Sequence, residues 1–152
     1  MENEAILAKV PVFNGLSADE LKLLAQLCVN RSYQRRDVIF KEKSRGTEIY
    51  ILRKGQVRIE LAIKSKTDFA TIHRVQEGEI FGELALVSKG TRSATAECDT
   101  DCEVIALSQN DLKELFRKQP RMGYIIMSNL ASILATRLRK TNLQLVACFL
   151  WE

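Results

Sequence analysis

The sequence predicts a mainly β fold with flanking helices, in which an antiparallel sandwich or jelly roll is followed by a long C-terminal helix. The first observation is a series of short apolar runs between residues 33 and 107 that polar turns separate, which is typical of antiparallel strands. The second is that these runs do not alternate with helical segments, which argues against a doubly wound parallel sheet. The third is an apolar period of helical spacing that starts near residue 121 and continues for many turns.

The first 30 residues or so are predicted to be helical. Ser17 and Glu20 stand at the two ends of a Ser-Ala-Asp-Glu run, which is a capping box and marks a helix start. Apolar residues recur after it at helical spacing, so one face of this helix is apolar; they are Leu21, Leu24, Leu27 and Cys28. Pro11 and Gly15 interrupt the segment before the capping box.

The β segment shows its clearest alternation after Gly55. Apolar residues at 57, 59, 61 and 63 alternate with residues 56, 58, 60 and 62, which is the period of a half-buried strand. The other predicted strands lie at residues 38–40, 49–52, 69–75, 92–98 and 102–107, with polar turns at 64–68 and 99–101.

The last segment is predicted to hold two helices. Ser108 can cap the first, and Pro120 marks its end. The second carries two apolar stripes. The first is a heptad seam that we call the seam, made of Tyr124, Met127, Ala131, Leu134, Leu138, Thr141, Leu145 and Cys148; the second consists of Ile126, Leu130 and Ile133.

Two stripes on one helix suggest two packing partners. One stripe can pack on the strands and the other on a partner helix, so we expect a homodimer through residues of about 122 to 148. The alternative is a single wide core face in a monomer. Because the apolar end at residues 145–151 needs a cover, the dimer is favoured. The expected division is a roll with its N-terminal helix at residues 1–120 and a dimerisation or lid helix at 121–152.

Composition and charge restrict the class of protein. The chain has 152 residues, of which 46% are hydrophobic and 28% charged, and its net charge is +4. This is the balance of one globular domain, and it is weak evidence for binding nucleic acid. There is no apolar run of about 20 residues, as a membrane span needs, and the N-terminus is acidic rather than signal-like. The four cysteines lack metal-site spacing. We therefore expect a cytoplasmic protein with free thiols, no membrane association and no metal.

The stretch from residue 77 to 95 carries the residues suited to chemistry. Gly82 allows a left-handed turn or a close approach to a ligand, and residues 83–86 form a short helical turn whose first N–H groups can face an anion. Arg92 can bind two phosphate oxygens through its planar guanidinium, and Ser93 adds a hydroxyl. Glu83 is unusual in an anion site, and a ribose hydroxyl is a suitable donor to it.

The order of these residues resembles a known motif. The run Phe-Gly-Glu-Leu-Ala-Leu at 81–86, with Arg-Ser-Ala-Thr at 92–95, resembles the phosphate-binding cassette of the cyclic nucleotide-binding domain family. That family includes bacterial cAMP receptor proteins, protein kinase A regulatory subunits and nucleotide-gated channels. Residues 10–13, 37–40 and 49–51, together with Gly55 and Gly78, resemble its opening and its β-roll framework, so the resemblance covers nearly the whole chain.

The resemblance implies roles for individual residues. Arg92 would bind the cyclic phosphate, Glu83 would accept a hydrogen bond from the ribose 2′-hydroxyl, and Thr141 and Asn142 of the long helix would contact adenine. The implied ligand-binding residues are Phe81, Gly82, Glu83, Leu84, Ala85, Arg92, Ser93, Thr141 and Asn142. The ligand would be cAMP, or cGMP with weaker affinity, and no other cofactor is implied.

Some residues depart from the family pattern. Arg36 and Lys43 stand where the family often has glycine, which puts the shape of two turns in doubt. Some relatives bind haem through a histidine, and His73 is the one histidine in this sequence; the competing interpretation is a plain strand residue. Relatives with an iron–sulfur cluster need clustered cysteines, which this sequence lacks.

The predicted function is a stand-alone cyclic-nucleotide sensor, without enzymatic activity, that signals by rearrangement of its C-terminal helix to an unidentified downstream protein. No nucleophile–base constellation supports catalysis, and no helix-turn-helix follows the long helix, so direct DNA binding is not expected. One alternative is a transcription regulator that acts through a separate DNA-binding partner. The other is a structural dimer module that has lost its ligand, although Glu83 and Arg92 facing an empty pocket would be costly.

Overall fold

The computed structural model describes residues 2–63, 68–88 and 90–151. Residues 64–67 of the predicted turn therefore lie outside the described residues. The elements in chain order are α1 (Glu2–Leu7), a 3-10 turn (Pro11–Phe13), α2 (Ala18–Ala25), β1 (Val29–Tyr33), β2 (Val38–Phe40), β3 (Glu48–Lys54), β4 (Val57–Ala62), β5 (Phe69–Val75), β6 (Ile80–Phe81), α3 (Leu84–Val87), β7 (Thr95–Cys98), β8 (Cys102–Ser108), α4 (Gln109–Lys118) and α5 (Pro120–Leu150).

The described strands form two antiparallel sheets of four strands each. The strand order is β1-β8-β3-β6 in one sheet and β2-β7-β4-β5 in the other. Because consecutive strands such as β7 and β8 belong to different sheets, the chain crosses between the sheets and closes a jelly roll. The predicted fold class, a mainly β roll with flanking helices and a long C-terminal helix, is confirmed.

The two central strands of the first sheet, β3 and β8, are buried on both faces. On β3, Ile49 and Ile51 pack into a core with the helices, while Tyr50 and Leu52 pack into a second core against the other sheet. Residues 104–107 of β8 alternate between the same two cores. This explains why both strands are continuous apolar runs rather than alternating ones.

The helices begin where the capping residues predict. In the capping box the N–H of Glu20 donates to Ser17 Oγ at 3.2 Å, and the N–H of Ser17 donates to Glu20 Oε1 at 2.8 Å. Ser108 caps α4 through the N–H of Asp111 at 3.5 Å. Helix α5 runs without interruption for 31 residues, and Pro120 occupies its first turn, where proline is tolerated.

Helix α5 uses its two stripes differently. Ile126 and Leu130 are fully buried in the core that the helices share with the first sheet. Most of the seam is exposed, with Tyr124 at 76% and Leu138 at 62%. No helix among the described residues combines the length and the apolarity that a membrane span needs.

Three strands differ from the sequence prediction. Strand β1 has a polar composition and lies at a sheet edge, so its pattern contained no apolar alternation to detect. Strand β6 is two residues long and falls inside the stretch interpreted as a loop. Strand β7 begins at Thr95 rather than at residue 92, because residues 91–94 belong to the cavity wall described below.

The two turns that lack glycine keep a glycine-like backbone. Arg36 has φ 73° and Lys43 has φ 66°, both in the left-handed region that glycine favours. The N–H of Lys43 donates to the carbonyl of Arg92 at 2.8 Å, so the second turn directly supports the segment that carries the cassette arginine, just before β7.

Candidate functional site

A cavity of about 820 Å³ opens between the roll and α5. One wall is the cassette, the second is the β4–β5 hairpin with Ile59, Leu61 and residues 71–73, and the third is one face of α5. Of the site residues predicted from the sequence, eight line this cavity: Phe81, Gly82, Glu83, Leu84, Ala85, Arg92, Ser93 and Thr141. Asn142 is exposed on α5 and does not line it.

Arg92 is a buried cation on the cavity wall. Its Nη1 donates to the carbonyl of Gly82 at 3.2 Å and its Nη2 to the carbonyl of Glu48 at 2.7 Å, and Nε has no hydrogen-bond partner among the described residues. Burial lowers the pKa of Arg92 from its ordinary value, although an arginine still carries its charge at neutral pH.

No carboxylate of the described residues forms an ion pair with Arg92. The Glu48 carboxylate acts on Arg92 electrostatically, but both its oxygens accept hydrogen bonds from Arg31 at 2.7 Å. The Arg31 guanidinium holds the pKa of Glu48 below its ordinary value. Since a buried charge is costly without a partner, the site is suited to an anion from outside.

Aromatic rings support the guanidinium from below. The Phe40 ring centroid is 4.2 Å from Arg92 Cζ and that of Tyr50 is 5.7 Å away. These two rings stack with Phe81, and burial raises the pKa of Tyr50 to about 12. The cation therefore lies against the faces of neutral rings, which attract it electrostatically.

Two glycines leave space for Arg92. A Cβ built on Gly46 would overlap its guanidinium, and one on Gly82 would lie 3.0 Å from Nη1. Gly82 also has φ +70°, as the cassette sequence predicts. Gly46 was not singled out from the sequence, because it lies far from Arg92 along the chain and no local motif marks it.

Glu83 links the cassette to α5. The residue is 7% exposed, and its carboxylate forms an ion pair with Arg137 of α5. Arg137 lines the cavity as well. The sequence did not predict this role of Arg137, because its pairing with Glu83, 54 residues away along the chain, depends on how α5 packs against the cassette.

The short helical turn follows Gly82 as the sequence predicts. Helix α3 starts at Leu84, the N–H of Ala85 donates to the Gly82 carbonyl at 3.2 Å, and the N–H of Leu86 donates to that of Glu83 at 2.9 Å. The Gln109 side chain holds the turn from behind through the Ala85 carbonyl. Ser93 is exposed at the rim of the cavity.

The face of α5 that lines the cavity carries more polar residues than the sequence analysis assigned. Besides Thr141 and Arg137, this face presents Lys140 and Gln144. The Thr141 hydroxyl donates to the Arg137 carbonyl at 2.9 Å, so its oxygen is left as an acceptor. Lys140, by contrast, is a donor only.

His73 also lines the cavity, from β5. Its Nε2 lies 2.9 Å from Glu79 Oε2, so an acidic neighbour engages the ring nitrogen. Within the described residues there is no cluster of three metal-ligating side chains, and the four cysteines are free thiols.

Comparisons with known proteins agree with this geometry. The profile of the cyclic nucleotide-binding domain matches residues 30–119. The Cyclic AMP receptor protein of Thermus thermophilus is 33% identical over 89% of this chain, which spans 60% of that relative. The crystal structure of the Thermus thermophilus Catabolite Activator Protein superposes with a TM-score of 0.77 at 33% identity, over 89% of this chain and 61% of that one.

A further solved structure supports the fold alone. The crystal structure of a cyclic nucleotide-binding domain from Methylobacillus flagellatus has a TM-score of 0.82 at 23% identity, and the alignment covers 95% of this chain and 81% of that one. Given the matched profile, the jelly roll and the buried arginine of the cassette, the chain belongs to the cyclic nucleotide-binding domain family, and its fold is that of a cyclic nucleotide-binding regulatory domain.

Proposed function

We propose that this chain is a sensor that binds one cyclic nucleotide in the cavity, cAMP more tightly than cGMP, and passes the binding event to α5. The observation that carries the proposal is Arg92, a buried cation on the cavity wall without an ion-pair partner among the described residues. A cyclic phosphate has one negative charge and two free oxygens, which match a planar guanidinium.

The rest of the cassette has a role in this proposal. Glu83 accepts a hydrogen bond from the ribose 2′-hydroxyl, the Ser93 hydroxyl and the backbone around Gly82, Leu84 and Ala85 complete the phosphate seat, and Phe81 packs beneath it. The phosphate and the ribose of the ligand would thus be bound by residues of opposite charge on one loop, Arg92 and Glu83. This pairing favours a nucleotide over a simple inorganic anion.

Thr141 supports a preference for adenine. Its oxygen is left as an acceptor because its hydroxyl hydrogen is used within α5, and the exocyclic N6 amino group of adenine is a donor. Asn142 has no place on the cavity wall in this position of α5. Asn142 would contact the adenine base, as the resemblance implies, only if α5 rotates when the ligand binds.

We further propose that the C-terminal segment of residues 121–152, which contains nearly all of α5, is a separate functional unit that acts as lid and as dimer interface on the roll of residues 1–120. The exposed seam supports a homodimer, since a symmetric pair of helices would cover Leu138 and Leu145. The chain would act in the cytoplasm, where thiols stay reduced, and would signal to a downstream protein rather than catalyse a reaction or bind DNA itself.

Calorimetric titration with cAMP and cGMP tests the proposal. The wild-type chain should bind one nucleotide per chain, and Arg92→Ala should lose about 100-fold in affinity, as the loss of a charge-assisted hydrogen-bond pair of about 2–3 kcal/mol implies. Arg117→Ala is the matched control, because Arg117 pairs with Glu114 on the surface of α4. Equal binding by wild type and Arg92→Ala would reject the cassette assignment. A wild type that binds neither nucleotide would favour the ligand-free dimer module.

A further inference from the structure

We propose that Lys140 is a specificity-determining residue that contacts position 6 of the purine and favours a carbonyl there, so that it admits cGMP beside cAMP. The inference rests on the proposed function and deepens it by naming the contact that sets the ratio of the two affinities. It starts from the cavity face of α5, which presents Arg137, Lys140, Thr141 and Gln144.

The position of Lys140 along α5 suits the base rather than the sugar. Arg137 pairs with Glu83, which marks the height of the ribose. With a rise of 1.5 Å per residue, Lys140 lies about 4.5 Å and Gln144 about 10.5 Å further along the axis. Beyond Arg137 the cavity wall continues along α5 through Lys140, Thr141 and Gln144, and in this proposal the base lies along that stretch, beyond the phosphate at Arg92 and the ribose at Glu83.

The hydrogen-bonding capacity of Lys140 distinguishes the two purines. Guanine presents acceptors at O6 and N7, whereas adenine presents a donor at N6 and an acceptor at N7. A lysine has three donors and no acceptor, so it is complementary to O6 and opposes N6. Thr141 beside it has the reverse character, because its hydroxyl hydrogen is already used by the Arg137 carbonyl.

Three other polar side chains of the cavity, Gln144, Arg137 and His73, do not make this distinction. Gln144 offers both a donor and an acceptor and suits either purine. Arg137 is a donor only, but Glu83 engages it. His73 faces the acidic side chain of Glu79. Lys140 forms no ion pair with any described carboxylate, so its donors are available to a ligand.

Affinities for three nucleotides test the inference: cAMP, cGMP and cyclic IMP. Cyclic IMP has the 6-carbonyl of guanine and lacks its 2-amino group, so it isolates position 6. We expect Lys140→Ala to lower the affinity for cGMP and for cyclic IMP about tenfold, with cAMP changed less than about threefold, as the loss of one base contact implies. Lys140→Gln, which offers an acceptor, should raise the ratio of cAMP to cGMP affinity further.

The matched control is Arg139→Ala. It removes one positive charge from the adjacent position of α5, and Arg139 is exposed and does not line the cavity. Its effect should be the same small factor for all three nucleotides. Thr141→Val should move the ratio in the opposite direction to Lys140→Ala.

Three results would overturn the inference. The first is a ratio of cAMP to cGMP affinity that Lys140→Ala leaves unchanged in a chain that binds both. The second is an equal loss for Lys140→Ala and Arg139→Ala, which would assign the effect to overall charge. The third is cyclic IMP behaving as cAMP does, which would place the discrimination at the 2-amino group. If the wild type binds none of the three, the proposed function fails and this inference with it.

Discussion

Arg92 shows how one residue depends on distant parts of the chain. Its guanidinium donates to the carbonyls of Gly82 and Glu48 and lies against the rings of Phe40 and Tyr50. The absence of a side chain at Gly46 leaves the space that it occupies. These contacts hold the guanidinium in one place before a ligand arrives. Such preorganisation reduces the cost of ordering the side chain on binding.

Replacing Gly46 with alanine should therefore impair binding through Arg92. The backbone at Gly46 does not require glycine, since its φ is outside the positive range, so the roll should stay folded. The added methyl group would displace the Arg92 side chain and lower cAMP affinity about tenfold or more, on the scale of one lost charge-assisted contact.

The double variant Gly46→Ala with Arg92→Ala provides the control, measured by titration calorimetry. If Gly46→Ala acts only by moving Arg92, the second substitution adds no further loss to that of Arg92→Ala alone, a strongly non-additive cycle. Additive losses would show that Gly46 contributes in another way.

Replacing Arg36 or Lys43 with glycine should stabilise the folded protein. Both have a left-handed backbone, which costs a residue with a Cβ about 1–2 kcal/mol, while glycine adds back part of that cost through the entropy of the unfolded chain. We expect Arg36→Gly and Lys43→Gly each to raise the free energy of unfolding by about 0.5–1 kcal/mol.

Denaturant unfolding measures this effect. Arg35→Gly is the matched control, because Arg35 is also exposed and lacks a positive φ; it should give no gain. A destabilised Lys43→Gly would indicate that its side chain makes a contact worth more than the strain.

The residues that a local motif marks were predictable from the sequence, and the others were not. Gly82, Glu83 and Arg92 lie in one stretch of residues and all line the cavity. Gly46 and Arg137 come to the site only through the fold. The packing of α5 on the roll determines that Lys140 lines the cavity and Asn142 does not. The apolar residues of the seam do not show which of the neighbouring polar residues faces the roll, so the sequence could not predict this.

At the scale of elements, the strands that the sequence predicted well are those with a clear pattern. Strand β5 has the predicted bounds, and the run at β3 was found because both its faces are buried. Strand β1 pairs with β8 at a sheet edge. It is stabilised by this pairing with a strand distant in sequence, which its polar residues do not predict.

The two stripes of α5 allow a matched test of packing against assembly. Ile126→Ala should lower the free energy of unfolding by about 2–5 kcal/mol, because it leaves a cavity in the core, and Ile126 is 1% exposed. Leu138→Lys should leave the roll folded, since Leu138 is 62% exposed, but should dissociate the proposed homodimer.

Denaturant unfolding measures the free energy of unfolding, and sedimentation measures the state of assembly. The unfolding experiments need one fixed protein concentration, because dimers gain stability by mass action. Arg139→Ala, off the seam, should change neither. A wild type that sediments only as a monomer at micromolar concentration would reject the dimer.

At the scale of the whole molecule, the cassette and α5 are joined across the cavity by the Glu83–Arg137 ion pair. The buried residues Met122, Ile126 and Leu130 fix the first half of α5 on the roll. Beyond Arg137 the described helix is exposed up to Trp151. The second half of α5 is therefore the part of the molecule that a ligand can reposition at least cost, since few buried contacts hold it.

Binding of cAMP should increase amide protection in the second half of α5. The ribose hydroxyl would share the Glu83 carboxylate with Arg137, and the purine contacts α5, so the ligand has different affinities for different helix positions, which is what shifts a population. Hydrogen exchange with and without cAMP should show slower exchange over residues 137–148.

Arg137→Ala should keep phosphate anchoring at Arg92 but reduce that added protection, because it removes the charged link between loop and helix. Gln119→Ala at the start of α5, outside the cavity wall, should leave the ligand-dependent protection as in the wild type. Protection changes confined to residues 80–95 in the wild type would mean that the chain binds nucleotide without this switch.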